Sequence, residues 1–315
     1  MKVHFLGTSS ACPSLTRNVS ATGVSFESTK SWLLVDCGEG TQHQILKSEL
    51  TAYHLSVILV SHLHGDHCYG LPGLIASVSL AGRTQPVTLI APQAVIDFVL
   101  NALALTQMET GFELKTLAIE EIENTVEFDF FHVQIATLKH RVPSYGFKLI
   151  ESSIPNKLRI KKLKNEGIAT GRHFNQLQKG QDVQFLGQKL SASDYTFPSW
   201  RPRKVIICGD NEKPSLLKGY VDDIDLLVHE ATFTSADLRR VGTHTGHSDA
   251  KRIALFANEY QVPQLALFHF SSRYHGPEML APLTQEALAH YHGELILADD
   301  GLTIHIDKQV QSTEE

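Results

Sequence analysis

The chain has 315 residues, of which 42% are hydrophobic and 20% are charged. This length and composition exclude a disordered chain and correspond to one large globular domain or two smaller ones. The net charge of −6 excludes a generally basic protein that coats nucleic acid, whereas the 17 histidines supply many groups for metal binding and proton transfer.

The N-terminal residues contain no apolar core of the kind that a signal peptide needs, and no apolar run approaches the ~18 residues of a membrane span. The four cysteines lie far apart in the sequence and form no C-x-x-C pair, a pattern typical of reduced thiols. We therefore expect a cytoplasmic protein.

Short strand-like runs alternate with helical stretches along the chain. Strands are predicted over residues 1–6, 22–27, 31–36, 56–61, 86–91, 132–138, 204–208, 225–229, 264–270 and 295–298. Helices are predicted over residues 92–105, 248–260 and 278–290. Ser248 stands at the expected N-cap of the second helix, and the apolar run at 56–61 is typical of a strand buried on both faces. The pattern predicts two mixed sheets with helices outside them.

The segment from 152 to 200 differs from the rest of the chain. Its basic part, residues 155–180, carries seven lysine and arginine residues against Glu166 alone, a net charge of +6 that leaves −12 on the remainder. This basic part has few large apolar residues, so we predict that it is an excursion from the globular body rather than part of its core. Such a charge run is also typical of a solvated, flexible loop.

The strongest chemical signal follows the predicted strand at 56–61. Residues 62–67 read His-Leu-His-Gly-Asp-His, which places four ligand-type side chains within six residues. The first two histidines point the same way on an extended chain and can bind one ion, while the aspartate and the last histidine, beyond the glycine turn, can bind a second. Without a cation, the cluster would leave polar groups unpaired.

Two ions need further ligands, and candidates follow three other predicted strands. These candidates are His140, Asp210 and His269. A carboxylate such as Asp210 can bridge two divalent ions because each of its oxygens binds one. Nitrogen and carboxylate ligands without thiolate suit zinc and also manganese or iron, so Cys68 and Cys208 are predicted to have packing roles.

This ligand pattern resembles the metallo-β-lactamase superfamily and, more narrowly, the tRNase Z (ribonuclease Z) family. The resemblance covers essentially the whole chain. The motifs that carry it are Pro-x-x-x-Arg-Asn at 13–18, Asp-Cys-Gly-Glu-Gly-Thr-Gln at 36–42, His-Glu-Ala-Thr at 229–232, Gly-His-Ser at 246–248 and Phe-His-Phe-Ser-Ser-Arg-Tyr at 268–274. It implies a single domain over residues 1–315 with a four-layer αβ/βα sandwich, of mixed α+β and α/β class. A dinuclear site would lie between two sheets, and residues 152–200 would form an inserted basic arm.

The resemblance also implies a role for each candidate residue. It assigns one ion to His62, His64 and His140, a second ion to Asp66, His67 and His269, and Asp210 to a position between them. Asp36 is expected to support the ligand histidines. Asp66 would also orient the attacking hydroxide, His247 would be the general acid, and Glu230 would hold the imidazole of His247. The expected cofactors are two divalent ions per chain, Zn²⁺ first, with Mn²⁺ or Fe²⁺ as alternatives.

The implied reaction is hydrolysis of the phosphodiester at the 3′ end of precursor tRNA by a metal-bound hydroxide, which removes the 3′ trailer. In this family an arm between the third and fourth ligand motifs clamps the tRNA, and residues 155–180 lie at that place. The basic side chains expected to neutralise phosphates there are Lys157, Arg159, Lys161, Lys162, Lys164 and Arg172. The resemblance further implies a homodimer.

Two positions depart from the family pattern. The chain has Gly171-Arg172 where the arm usually carries Gly-Pro, and Asn211 where a threonine is common after the bridging aspartate. The aromatic residues of 195–201 are expected to pack at the base of the arm, with stacking on RNA bases as the alternative.

Other functions share parts of this pattern. A dinuclear phosphodiesterase that acts on small phosphodiesters or other RNAs would use the same metal site but would not need the arm. A catalytically silent RNA-binding protein would not need the complete ligand set.

Overall fold

The computed structural model describes residues 1–123, 125–274 and 276–310. Its strands are β1 (Lys2–Gly7), β2 (Ala21–Ser25), β3 (Trp32–Val35), β4 (Leu55–Leu59), β5 (Val87–Ala91), β6 (Leu114–Ala118), β7 (Val126–Glu127), β8 (Phe131–Leu138), β9 (Ser144–Glu151), β10 (Asn156–Leu158), β11 (Val183–Phe185), β12 (Gln188–Leu190), β13 (Thr196–Pro198), β14 (Lys204–Cys208), β15 (Leu226–Glu230), β16 (Gln264–Phe268), β17 (Glu294–Leu297) and β18 (Thr303–His305). Its α-helices are α1 (Thr41–Leu46), α2 (Gly65–Cys68), α3 (Leu71–Leu80), α4 (Gln93–Leu105), α5 (Ile160–Asn165), α6 (Arg172–Gln178), α7 (Ala192–Tyr195), α8 (Ser235–Val241), α9 (Ala250–Glu259) and α10 (Gly276–Leu288).

Two seven-stranded sheets form the centre of the molecule. The first has the order β18-β1-β2-β3-β4-β5-β6, and the second has the order β17-β16-β15-β14-β9-β8-β7. The segments β3-β4-β5-β6 and β14-β15-β16-β17 are parallel, and the remaining pairs are antiparallel. The two mixed sheets predicted from the sequence are therefore confirmed.

Three hydrophobic clusters hold the layers of the molecule together. The central cluster joins the two sheets and contains Phe5 and Leu59 from the first and Phe147 and Val228 from the second. An outer cluster packs α3 and α4 on the first sheet, and another packs α9 and α10 on the second. This arrangement is the expected four-layer αβ/βα sandwich.

The boundaries of the predicted strands and helices lie within two residues of the observed ones. The N-cap prediction at Ser248 is wrong. Asp249 caps helix α9, because its carboxylate accepts the backbone N–H of Arg252 at 2.8 Å. Helix α3 was not predicted, although Pro72 stands in its first turn, where a missing N–H costs no intrahelical hydrogen bond.

The segment from 152 to 200 folds around a small core of its own. The alternative prediction of a solvated, flexible loop, which rested on the basic charge of 155–180, is therefore wrong. The buried side chains of this core include Leu163, Leu177, Leu190 and Tyr195. Strand β10 pairs with β13, and β11 pairs with β12, outside the two large sheets. Since Tyr195 belongs to this core and Phe197 is also buried, the aromatic residues at 195–197 pack here as expected.

The parallel strands bring several loops to one edge of the molecule. Residues 62–67 follow β4, Asp210 follows β14, and His269 follows β16, while Glu230 is the last residue of β15. Because carboxyl ends of parallel strands meet at the same edge of a sheet, these side chains are brought together. Within the described ranges, no helix has both the length and the apolarity that a bilayer crossing requires.

Candidate metal centre

A first group of three imidazoles and one carboxylate lies beside the loop that follows β4. His64 Nδ1 is 3.1 Å from His62 Nε2 and 3.0 Å from His140 Nε2. Asp210 Oδ2 lies 3.6 Å from His62 Nε2 and 3.5 Å from His140 Nε2. These four atoms converge on one point, so the group can hold a metal ion.

A second group lies on the other side of Asp210. His67 Nε2 is 3.2 Å from His269 Nε2, which in turn is 3.4 Å from Asp66 Oδ2. Asp210 Oδ1 lies 3.5 Å from His67 Nε2 and 3.2 Å from His269 Nε2. The two oxygens of Asp210 therefore face the two groups, one each.

The residues of both groups fit divalent metal ions. Four ligands at about 2.1 Å around a tetrahedral ion stand ~3.4 Å from one another, which is the spacing of these atoms. Asp210 is buried, and its Oδ1 makes no hydrogen bond to any described residue. Burial, followed by the charges of the neighbouring imidazoles, lowers the pKa of His62, which favours the neutral ring that a metal requires.

Asp36 and Ser61 orient the histidines from behind. Asp36 Oδ2 accepts the Nδ1–H of His67 at 2.7 Å and the Ser61 hydroxyl at 2.8 Å, and its Oδ1 accepts the Ser61 backbone N–H at 2.7 Å. Ser61 Oγ also lies 2.9 Å from His62 Nδ1. These bonds direct the Nε2 atoms of both histidines toward the metal positions.

Two backbone groups complete this support. His140 Nδ1–H donates to the carbonyl oxygen of Gly246 at 2.8 Å, and the N–H of Ala11 donates to Asp66 Oδ2 at 2.7 Å. Ala11 has a φ of 61°, so the β1–β2 loop holds a left-handed residue at this contact.

Glu230 and His247 form a pair at the rim of both groups. His247 Nδ1–H donates to Glu230 Oε2 at 3.1 Å, and the same nitrogen is 3.6 Å from Asp210 Oδ2. Glu230 is completely buried, whereas 14% of the His247 side chain remains exposed. The imidazole therefore reaches the cleft while the carboxylate stays behind it.

Two further donors fix the Glu230 carboxylate. The backbone N–H of Asn211 donates to Glu230 Oε1 at 2.7 Å, and the Thr232 hydroxyl donates to Oε2. Thr232 Oγ1 also lies 2.9 Å from His269 Nδ1, which links this carboxylate to the second metal group. The Asn211 amide donates to His229 Nε2 at 3.0 Å, and His229 Nδ1–H donates to the Glu230 carbonyl at 2.8 Å, so His229 is a structural support.

Burial and charge act in opposite directions on the pKa values of this site. Burial lowers the pKa of His247, but the carboxylates of Glu230 and Asp210 outweigh it and raise the pKa to about 9. Burial raises the pKa of Glu230, but His247 lowers it to about 2. The pair therefore consists of a carboxylate and an imidazolium, the state that a proton donor needs.

The predicted arm residues lie apart from these groups. All six side chains from Lys157 to Arg172 that were named as phosphate contacts are exposed, and they stand on or beside helices α5 and α6. Arg159 covers the ring of Phe197, and Lys162 covers the ring of Tyr195. No contact in the described residues brings them to the metal groups.

Comparison with known proteins places the chain in a family. Ribonuclease Z of Pseudomonas putida strain GB-1 is 45% identical to it over 314 residues, which cover 98% of each chain. The chain belongs to the ribonuclease Z family.

Solved structures agree with the assignment of the chain to the ribonuclease Z family. The short form of human tRNase Z superposes with a TM-score of 0.68 at 29% identity, covering 98% of this chain and 100% of that one. The metallo-β-lactamase fold protein YhfI of Bacillus subtilis has a TM-score of 0.67 at 16% identity, covering 96% and 98%, and shows the fold alone. Residues 1–157 also match the family described as Anti-Pycsar protein Apyc1. Both the predicted family and the predicted fold are confirmed.

Several contacts that support this site were not predicted from the sequence. Ser61 precedes the His-x-His motif directly, and only its position next to a ligand could have indicated it. The carbonyl of Gly246 and the N–H of Ala11 carry no side-chain signal at all. Asn211 was noted as a departure from the family, but its contact with Glu230 joins residues 19 positions apart and depends on the pairing of β14 with β15.

Proposed function

We propose that this chain cuts precursor tRNA at the 3′ end of the mature sequence and thereby removes the 3′ trailer. The observation that carries this proposal is a full-length likeness to ribonuclease Z combined with a complete set of convergent histidine and aspartate ligands. A nucleic-acid substrate in turn favours a cytoplasmic protein.

We assign two divalent ions to each chain. His62, His64 and His140 would hold one, Asp66, His67 and His269 the other, and Asp210 would bridge them. Imidazole and carboxylate ligands favour Zn²⁺, with Mn²⁺ or Fe²⁺ as alternatives. When bound, such ions supply a nucleophile at neutral pH and neutralise negative charge on the scissile phosphate.

The protein side chains contribute orientation and proton transfer. Asp66 faces the same space as the ligand histidines and orients the attacking water. His247, held protonated by Glu230, donates a proton to the leaving oxygen. This division of work explains why Glu230 is buried while His247 reaches the cleft.

The arm supplies the affinity for RNA. Lys157, Arg159, Lys161, Lys162, Lys164 and Arg172 form a group of exposed cations within residues 155–180, which carry a net charge of +6. The ion pair described in residues 152–200 joins Lys189 and Asp182, and none of these six cations is in an ion pair with a described residue. Contacts with phosphates would give binding that depends strongly on salt and weakly on sequence. Arg172, in place of the usual proline, adds one cation at the start of helix α6.

A second copy of the chain is the expected partner. Leu46 is 82% exposed, Leu80 is 85% exposed and Tyr53 is 45% exposed. These side chains surround a cavity of about 650 Å³ whose walls include Ile45 and Leu74. An apolar surface of this kind is typical of a protein–protein interface, and we assign it to a homodimer.

The decisive experiment compares two RNAs with the metal-loaded enzyme. One is a precursor tRNA with a 3′ trailer, and the other is the same RNA with base changes that unfold the acceptor stem. Cleavage at the 3′ edge of the stem in the first RNA alone supports the proposal. Equal cleavage of both, or cleavage of small phosphodiesters only, would favour the general phosphodiesterase instead.

A further inference from the structure

An exposed aromatic residue stands at the mouth of the metal cleft. Tyr69 directly follows helix α2 and is 64% exposed. It lines a cavity of about 410 Å³ together with His64, Asp66 and His247. Single exposed aromatic residues are ordinary on protein surfaces, but this one borders the groups that we assign to chemistry.

The Tyr69 ring is held in place without being covered. Its carbon atoms lie 2.2–2.5 Å from the position that a Cβ would occupy on Gly65, so only glycine allows the ring to rest there. The ring of Phe98 lies on another side, with its centroid 6.0 Å from that of the Tyr69 ring and an angle of 48° between the two ring planes. Among the described residues, the phenol oxygen has no hydrogen-bond partner, so the ring itself is the feature that the fold presents.

A cation borders the same cavity. Arg141 follows the candidate ligand His140 and is exposed. Its guanidinium forms no ion pair with any described residue, although Glu39, Asp66 and Asp210 line the cavity as well. An unpaired guanidinium beside a stacking surface suits a phosphate and a base.

We propose that Tyr69 and Arg141 form a nucleotide subsite at the metal centre. The Tyr69 ring stacks on a base close to the scissile bond, and Arg141 binds a backbone phosphate. This inference rests on the proposed function, because it needs an RNA substrate. Stacking tolerates any base, since every base has a π-face, and therefore suits an enzyme that meets many RNA sequences.

The test measures kcat and KM for the trailer-bearing precursor tRNA with the metal-loaded enzyme. Tyr69→Ala is expected to raise KM about 5- to 150-fold, the range of stacking on one base, with a smaller effect on kcat. Tyr69→Phe keeps the ring and is expected to match the wild type, whereas Tyr69→Leu keeps only apolar volume and is expected to resemble Tyr69→Ala. Leu105→Ala, at another exposed apolar position, is the matched control.

Arg141 has a separate readout. Arg141→Gln is expected to reduce the slope of log(kcat/KM) against log salt concentration by about 1, the effect of losing one phosphate contact. Arg141→Lys, which keeps the charge, is expected to restore most of the slope.

The outcomes separate two failures. If the wild type cuts the precursor but Tyr69→Ala keeps a KM within twofold of it, or changes the oligomeric state instead, the subsite is wrong and the proposed function stands. An unchanged salt slope in Arg141→Gln also overturns the phosphate contact. If the wild type cuts no precursor, the proposed function fails and the subsite fails with it.

Discussion

His247 donates its Nδ1–H to Glu230 Oε2 at 3.1 Å, and Glu230 is completely buried. Because the carboxylate is also fixed by Asn211 and Thr232, it has one orientation and can direct the imidazole toward the cleft. The imidazole therefore lies at the edge of the metal groups, with its Nδ1 bonded to Glu230 and 3.6 Å from Asp210 Oδ2.

Replacement of His247 should therefore affect chemistry more than metal binding. We expect His247→Ala to retain its metal and to lose about 10²- to 10⁴-fold in turnover, the usual contribution of a general acid. Single-turnover cleavage and metal analysis on the same preparation check this. His244→Ala, an exposed histidine in the same loop, is the matched control. Loss of metal in His247→Ala would make His247 a ligand.

Asp210 should determine occupancy at both metal positions, since each of its oxygens faces one group. We expect Asp210→Ala to weaken metal binding by more than about 10-fold. Loss of a residue that only orients a metal ligand already costs about that much, and Asp210 is assigned as a ligand itself. A calorimetric titration of the metal-free protein with Zn²⁺ measures this affinity. Asp222→Ala, at an exposed position, should bind like the wild type, and normal affinity in Asp210→Ala would refute the bridging role.

The arm can be tested without destroying its core. Deletion of 155–180 would remove Leu163 and Leu177 from the small core, so substitution of exposed cations is the cleaner change. We expect the triple change Lys161→Gln, Lys164→Gln and Arg172→Gln to reduce the salt slope of RNA binding by about 2 to 3. Filter binding at several salt concentrations measures the slope, with Lys218→Gln as the control. An unchanged slope would exclude these side chains as phosphate contacts.

The apolar surface around Leu46 and Leu80 should hold two copies together. A charge in a buried apolar interface costs several kcal/mol, so we expect the double change Leu46→Asp and Leu80→Asp to give a monomer. Sedimentation velocity over a concentration series reports the mass. Leu105→Asp, equally exposed at 85%, should leave the mass unchanged. A monomeric wild type would contradict the assignment of this surface.

Stability should decrease in acid because of His4. Burial lowers the pKa of His4 to about 4, while its ring nitrogens contact Thr303 and Ser25. Between pH 6.5 and 4 the unfolded chain binds a proton that the folded chain does not, so folding loses stability as the pH falls through this window. We expect about 2 kcal/mol from this residue by pH 4.5.

Urea unfolding at pH 7 and pH 4.5 checks this value. His4→Gln should show a smaller difference between the two pH values than the wild type, and His292→Gln, at an exposed position, should not. An equal acid loss in His4→Gln would assign the effect to other groups.

Much of this protein could be predicted from local sequence. The apolar run at 56–61 and the periodicity of 250–257 indicated a buried strand and an amphipathic helix, because neighbouring residues alone set those patterns. The cluster at 62–67 indicated metal chemistry because four ligand-type side chains in six residues have few other uses.

Only the tertiary structure decided which contacts orient those candidate ligands. Asp36 reaches His67 across 31 residues, and Thr232 reaches His269 across 37, through contacts that the strand order creates. The support from Ala11 and Gly246 comes from backbone atoms, which every residue type shares, so no side-chain pattern could reveal it. The few apolar residues of the arm also gave no local sign of a core, because they meet only when helices α5, α6 and α7 fold together. The sequence thus indicated the candidate groups for the chemistry, and the fold determined their orientation, because orientation depends on contacts between residues that are distant along the chain.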